Sequence, residues 1–212
     1  MTVLRIDASI QGDRSSSSAL ADLVLEQYAA SRPDDAVVRR HLGAAPLPSD
    51  AWPLAIGGSF TPEGDRTDAQ RSAIALAGDL AAELRAADAA VLALPLYNWG
   101  VSQHVKTWID LAIAGGAQGE RLLDGTPVVA LVTRGGSYAP GTPKEGWDHS
   151  TDYLRRVLVD VWGADLTLVE RELTLAGVNP ALDDLRDLAG SLRESAEEAA
   201  ADAGAALARR AA

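Results

Sequence analysis

A chain of 212 residues with 30 acidic against 19 basic side chains carries a net charge of −11, which repels nucleic acid and anionic membrane surfaces at long range and argues against both as partners. Apolar residues at 47% and charged residues at 23% match one soluble domain with a sizeable core. The lack of cysteine excludes disulfides, thiolate catalysis and cysteine-ligated metals. Arg5 and Asp7 interrupt any apolar leader and no apolar run nears the ~20 residues of a membrane span, so a cytoplasmic location is expected.

Strand and helix patterns alternate along the chain. Val3-Leu4-Arg5-Ile6 reads as a first strand, with Arg5 discordant for a buried one. A first helix is predicted from about Ser16 to Tyr28, with Leu20, Leu23 and Val24 on one face. Ala36-Val37-Val38-Arg39 is a short second strand. Residues 43–66, with Pro46, Pro48, Pro53, Gly57 and Gly58, read as a long loop. Thr67 and Gln70 form a capping box that opens a second helix, whose Ala77, Leu80, Ala81 and Leu84 mark the buried face. The apolar run over residues 88–94 is a third, buried strand.

Ser102 caps a third helix, which carries Val105, Trp108, Ile109 and Ala112. Pro127-Val128-Val129-Ala130-Leu131-Val132 is the cleanest strand signal in the chain. After a Gly/Pro-rich loop over 134–147, Tyr153, Leu154, Val157, Leu158 and Val161 recur at the spacing of a fourth helix, ended by Gly163. Leu166-Thr167-Leu168-Val169 is the fifth strand. A fifth helix begins near Ala181 with Asp183 and Asp184 at its positive end, and the Ala-rich tail after Glu197 is expected to be solvated. Five strands alternating with five helices predict one α/β domain over residues 1–212: a doubly wound parallel sheet between two helical layers.

Three loops carry the chemistry. The first strand runs into Ser9, then Arg14-Ser15-Ser16-Ser17-Ser18 at a helix start, where hydroxyls, free backbone N–H groups and the positive end of the helix dipole suit a phosphate. Neither GxxxxGK[ST] nor GxGxxG is present, and one serine of the run is needed as an N-cap in any case. The third strand ends in Pro95-Leu96-Tyr97-Asn98-Trp99-Gly100, a loop offering flat aromatic surface and an amide to a heteroaromatic ring; covering the sheet end is its plainer use. The fourth strand ends in Thr133-Arg134-Gly135-Gly136, where paired glycines either form a tight turn or let the backbone approach a flat ligand. In the strand order 2-1-3-4-5 these loops meet at one edge of the sheet, one for a phosphate and two for a ring. That is the layout of an FMN site.

On these residues, together with Gln103-His104-Val105-Lys106-Thr107-Trp108-Ile109-Asp110, the chain resembles the FMN-dependent NADH:azoreductase/quinone reductase family of the flavodoxin-like fold over nearly its whole length. The resemblance implies that Ser9, Ser15, Ser16 and Ser17 hold the FMN phosphate, that Leu96, Tyr97, Asn98 and Trp99 lie against the isoalloxazine, and that Thr133, Arg134, Gly135 and Gly136 meet its pyrimidine edge. It implies an enzyme that takes hydride from NADH or NADPH and reduces quinones or azo compounds in a ping-pong, two-electron reaction. No dedicated acid or base is required, since the cofactor carries the chemistry, and Asn98 is a candidate ring contact. Relatives carry a longer aromatic segment before the fourth strand; residues 115–125 contain no aromatic, so the cover of the pocket is expected to differ.

Two other classes compete: a flavodoxin-like carrier that shuttles electrons between proteins, which the acidic balance suits, and a non-catalytic flavin-binding protein. The three histidines, His41, His104 and His149, form no metal-ligand pair, and no GxSxG elbow supports a hydrolase. A homodimer is expected from Trp108, Tyr153 and Trp162, because five tryptophans exceed what one core of this size needs and aromatics are enriched in interfaces.

Overall fold

A computed structural model describes residues 1–210. A five-stranded parallel sheet is built from β1 (Thr2–Asp7), β2 (Ala36–His41), β3 (Ala89–Ala93), β6 (Pro127–Thr133) and β7 (Asp165–Arg171), in the order β2-β1-β3-β6-β7. Between β3 and β6 lies a small antiparallel ribbon of β4 (Leu96–Tyr97) and β5 (Gly100–Val101). Counting only the strands of the main sheet, this is the expected 2-1-3-4-5 order.

Side chains alternate between the two faces of the sheet, and each face is buried by a different helical layer. Val3, Val91, Val129, Leu131 and Val169 pack with α1 (Ser16–Ser31) and α6 (Arg186–Arg210). Leu4, Ile6, Leu92, Ala130 and Val132 pack with α3 (Asp68–Arg85), α4 (Gln103–Gly115) and the region of α5 (Thr151–Arg155). Trp108 of α4 and Trp162, after α5, meet edge to face at 5.4 Å and are 1% and 0% exposed. Tyr153 is packed against the same cluster. These rings, expected at an interface, are therefore core of a single chain.

Three local expectations are corrected, and one discordant residue is accounted for. Within residues 43–66 the chain forms α2 (Ala51–Ser59). Pro53 is tolerated because the first helical turn has no intrahelical acceptor for its missing N–H. Gly58 is a packing residue: a Cβ there would lie 2.9 Å from the Ile74 side chain of α3. Second, a π-helical turn, Arg156–Val161, follows α5. The added residue per turn rotates Val161 out to 40% exposure and puts Trp162 in the interior, which the 3.6-residue spacing assigned to Val161.

Third, the chain passes through a 3-10 turn, Pro180–Leu185, into α6, which continues to Arg210. Ala196, Ala200, Ala203, Gly204, Leu207 and Ala208 are buried, so the tail is not solvated; Ala211 and Ala212 lie outside the described residues. Small side chains let α6 settle so close to α1 that a Cβ on Gly204 would sit 2.3 Å from the Val24 carbonyl oxygen. The discordant Arg5 is 3% exposed and still accommodated: it donates to Asp7 at 2.7 and 3.0 Å, to the Ser18 carbonyl at 3.2 Å, and to Asp22 of α1.

Candidate cofactor site

The loops after β1, β3 and β6 converge at the carboxyl edge of the sheet, joined by the loop after β7. Between them lies an open cleft of about 200 Å³ lined by Ser9, Gln11, Arg14, Ser15, Ser16, Ser17, Pro95, Leu96, Tyr97, Thr133, Gly135, Thr174, Leu175 and Val178. Eight of the twelve expected site residues are in this lining: Ser9, Ser15, Ser16, Ser17, Leu96, Tyr97, Thr133 and Gly135.

The first loop is built mostly by local rules. Ser15 is the N-cap of α1, accepting the Ser18 N–H at 3.1 Å, and its hydroxyl is 3.2 Å from that of Ser17. The Ser16 and Ser17 amides stand at the helix start, where no intrahelical acceptor exists. Ser18 faces elsewhere, its hydroxyl buried without a partner among the described residues. Ser9, 2% exposed, accepts the Gln11 N–H at 3.1 Å, and its backbone rests on Gly43: a Cβ at Gly43 would be 2.0 Å from the Ser9 carbonyl oxygen. Hydroxyls, helix amides and the Arg14 guanidinium thus share one end of the cleft.

Tyr97 ties this loop to the next. Its phenol oxygen lies 3.2 Å from the Ser9 hydroxyl and accepts the Ile10 N–H at 3.3 Å. Beyond Tyr97, Asn98 (φ 48°) and Trp99 (φ 66°) are the central residues of a two-residue hairpin turn, both left-handed. Such turns need positive φ at both positions, which asparagine accepts readily and tryptophan does not. Trp99 is held there by His149, whose N–H donates to its carbonyl at 2.9 Å, and by Trp147, edge to face at 6.0 Å. Asn98 and Trp99 are both exposed at the ribbon tip and contribute nothing to the cleft lining.

The third loop is built by distant partners. The Arg134 side chain, expected against a flavin ring, is instead engaged behind the loop with Asp148, Thr151 and Glu170. Burial opposes its charge, but these carboxylates outweigh that and hold the guanidinium above its ordinary pKa. Asp148, despite burial, is held below the usual carboxylate range by N–H and O–H donors from Thr151 and Ser150 and by Arg134. Gly136 also lies outside the lining.

Residues that the sequence did not single out are Gln11, Thr174, Leu175 and Val178. The last three follow the fifth main strand, and only the Asn179-Pro180 turn signal marks that loop. They supply apolar wall where the resemblance placed the 115–125 segment. That segment precedes β6, at the opposite edge of the sheet, where Leu123 and Gly125 donate to the Trp162 and Gly163 carbonyls. It cannot cover the cleft of its own chain.

The donor set fits FMN at two points. One end of the cleft presents hydroxyls, helix-start amides and a guanidinium, as a phosphate monoester requires. The other presents the face and edge groups of Tyr97, Leu96 and the Gly135 backbone, as a flat ring with a polar rim requires.

Comparison with known proteins agrees. The profile of the flavodoxin-like fold family matches residues 1–202. An FMN-dependent NADH:quinone oxidoreductase of Frankia alni is 38% identical over 202 residues, covering 93% of this chain and 95% of that one. One of the same name from Streptomyces avermitilis is 37% identical over 204 residues, covering 94% of each. Among solved structures, the azoreductase AzrA superposes with a TM-score of 0.79 at 23% identity, over 97% of this chain and 100% of that one. An FMN-dependent NADH-azoreductase from Bacillus anthracis, solved with FMN, gives 0.70 at 20% identity, over 96% and 100%. With the sheet order, the three converging loops and 37–38% identity to these quinone oxidoreductases over nearly the whole chain in hand, the chain belongs to the flavodoxin-like family of FMN-dependent NADH:quinone oxidoreductases.

Proposed function

We propose that this protein is an FMN-dependent oxidoreductase that takes electrons from NADH and reduces quinones or aromatic azo compounds. The observation that carries this reading is the cleft itself, with a phosphate-binding helix start at one end and an aromatic and backbone-donor wall at the other. FMN, when bound, supplies the two-electron chemistry between a nicotinamide donor and the acceptor. Ser9, Ser15, Ser16, Ser17, Arg14 and the first amides of α1 hold its phosphate, and the dipole of α1 favours the negative charge there. Leu96 and Tyr97 would support the ring, and the Gly135 N–H, free of any protein acceptor among the described residues, would donate to its polar edge. Leu175 and Val178 exclude water from the side that the fourth loop closes. Donor and acceptor use the same open side in turn, which gives ping-pong kinetics.

The enzyme works in the cytoplasm as a homodimer. Its apolar contact is sought on the packed helices α2 and α4, where Trp52 (44%) and Ile113 (45%) are exposed, with Phe60 (86%) at the end of α2. The test is direct. Purified protein should show the visible bands of oxidised flavin, release a compound of FMN mass on heating, and oxidise NADH faster when a quinone is added. Bound FMN with negligible NADH oxidation would identify an electron carrier or a flavin sensor instead. Absence of FMN after reconstitution would overturn the reading.

A further inference from the structure

We propose that Arg134 is a positioning residue, whose guanidinium holds the Gly135–Tyr138 loop so that the free Gly135 amide faces the ring edge of a bound flavin. The proposal rests on the FMN reading above. The Arg134 side chain is only 7% exposed. Its Nε donates to Asp148 at 2.7 Å, just past the far end of the longer 134–147 loop, and its Nη2 donates to Thr151 of α5 at 2.8 Å and to Glu170 of β7 at 2.5 Å. Glu172 lies 3.9 Å from Nη1 and itself accepts the Ser137 hydroxyl at 2.7 Å and the Tyr138 N–H at 2.9 Å. One planar fork thus gathers both ends of the loop, the edge strand and a helix start.

The backbone shows what the knot achieves. The carbonyls of Arg134, Gly135 and Gly136 accept the N–H groups of Thr174, Leu175 and Leu173 at 3.1, 3.1 and 3.2 Å. The Gly135 and Gly136 amides donate to no protein acceptor among the described residues. These three acceptors are turned toward the fourth loop, and the Gly135 donor, at the cleft wall, is left for a ligand. A lysine cannot reproduce this, because an ammonium on a flexible stem does not bridge three fixed directions. Charge matters separately: among the described residues, Arg134 is the one cation paired with Asp148, Glu170 and Glu172. Without it, three carboxylates stand behind the loop and oppose added negative charge on the ring.

Arg134→Lys and Arg134→Met separate the two roles. In the FMN-free proteins, amide hydrogen exchange at Tyr138 and Leu173–Leu175, whose N–H groups tie the loop down, should quicken about tenfold or more in both variants. FMN affinity should fall about tenfold or more in both, the range of a lost hydrogen bond to a charged group. In Arg134→Met, reduced FMN should lose about tenfold more affinity than oxidised FMN, which is a midpoint potential lowered by about 30 mV for a two-electron couple. Arg134→Lys should keep the wild-type potential. Exchange, affinity and potential all within twofold-equivalent of wild type would overturn the proposal. If Arg134→Met does not fold, the Lys variant decides it on exchange and affinity. If the wild-type protein takes up no FMN, the functional reading falls, while the exchange measurement still decides the clamp.

Discussion

The loops after β1 and β6 lie at opposite ends of one cleft and are made in different ways. The first is assembled by its own sequence: Ser15 caps the helix it starts, Ser17 leans on Ser15, and the donors come free with the first turn of α1. The other takes its shape from residues 14 to 40 positions away, through Arg134 to Asp148, Thr151 and Glu170 and through Thr174 to the Arg134 carbonyl. In the first loop, then, the serine hydroxyls should be removable with little loss of fold. In the third, shape and stability are one property.

The sharpest test of that contrast replaces Ser15, Ser16 and Ser17 together by alanine. FMN affinity should weaken by about 100-fold or more, at ~1.5–3 kcal/mol per charge-assisted hydrogen bond before backbone donors compensate. Stability should fall by only ~1 kcal/mol, the worth of the lost N-cap. Affinity comes from flavin fluorescence quenching and stability from urea unfolding; an unchanged affinity would reduce the serines to a polar turn.

Gly43→Ala probes where the first loop stops being self-sufficient. The added Cβ would meet the Ser9 carbonyl at 2.0 Å, so the backbone of the loop must move. A loss of ~1–3 kcal/mol is expected, as for other overpacked contacts, together with weaker FMN binding. Normal binding in a destabilised variant would show that Ser9 adapts.

Tyr97→Phe cuts the tie between the first and second loops, removing the bonds to Ser9 and Ile10. It should cost ~1 kcal/mol in unfolding experiments and little in FMN affinity, since the ring face remains. A large affinity loss would mean that the phenol itself meets the cofactor.

The smallest effect is a control remote from the cleft. Asp35 accepts the Tyr28 hydroxyl at 2.6 Å, the terminal ammonium at 3.0 Å and Arg32 at 3.0 Å, which together lower its pKa to about 2. A carboxylate depressed in the folded state contributes stability that is present above its unfolded pKa of about 4 and is lost as the pH falls toward 2. Asp35→Asn should flatten the acid limb of the stability profile in that window and leave FMN affinity unchanged. A variant with the wild-type acid limb would exclude Asp35 as a contributor.

Much of the fold was legible in the residues themselves, because an α/β sheet writes its strands as apolar runs and its helices as amphipathic spacing. The capping box at Thr67, the Ser102 cap and the run Pro127–Val132 all appear where predicted. α2 and the end of α6 escaped because their buried faces are made almost entirely of Ala and Gly, which read as turn or neutral; Gly58 and Gly204 bury only by close approach of another helix. The π turn that moved Val161 outward was equally invisible, since periodicity assumes one helical pitch.

For the site, the sequence by itself determined which loops converge and that hydroxyls and free amides gather at the α1 start, since both follow from strand order and local capping. Tertiary structure alone decided which side chains face the cleft. Asn98 and Trp99 were claimed by the geometry of a two-residue turn, and Arg134 by carboxylates 14 and 36 positions away. A buried guanidinium goes where its charge is paired, and that place is set by the packing of β7 and α5 rather than by its neighbours in the chain.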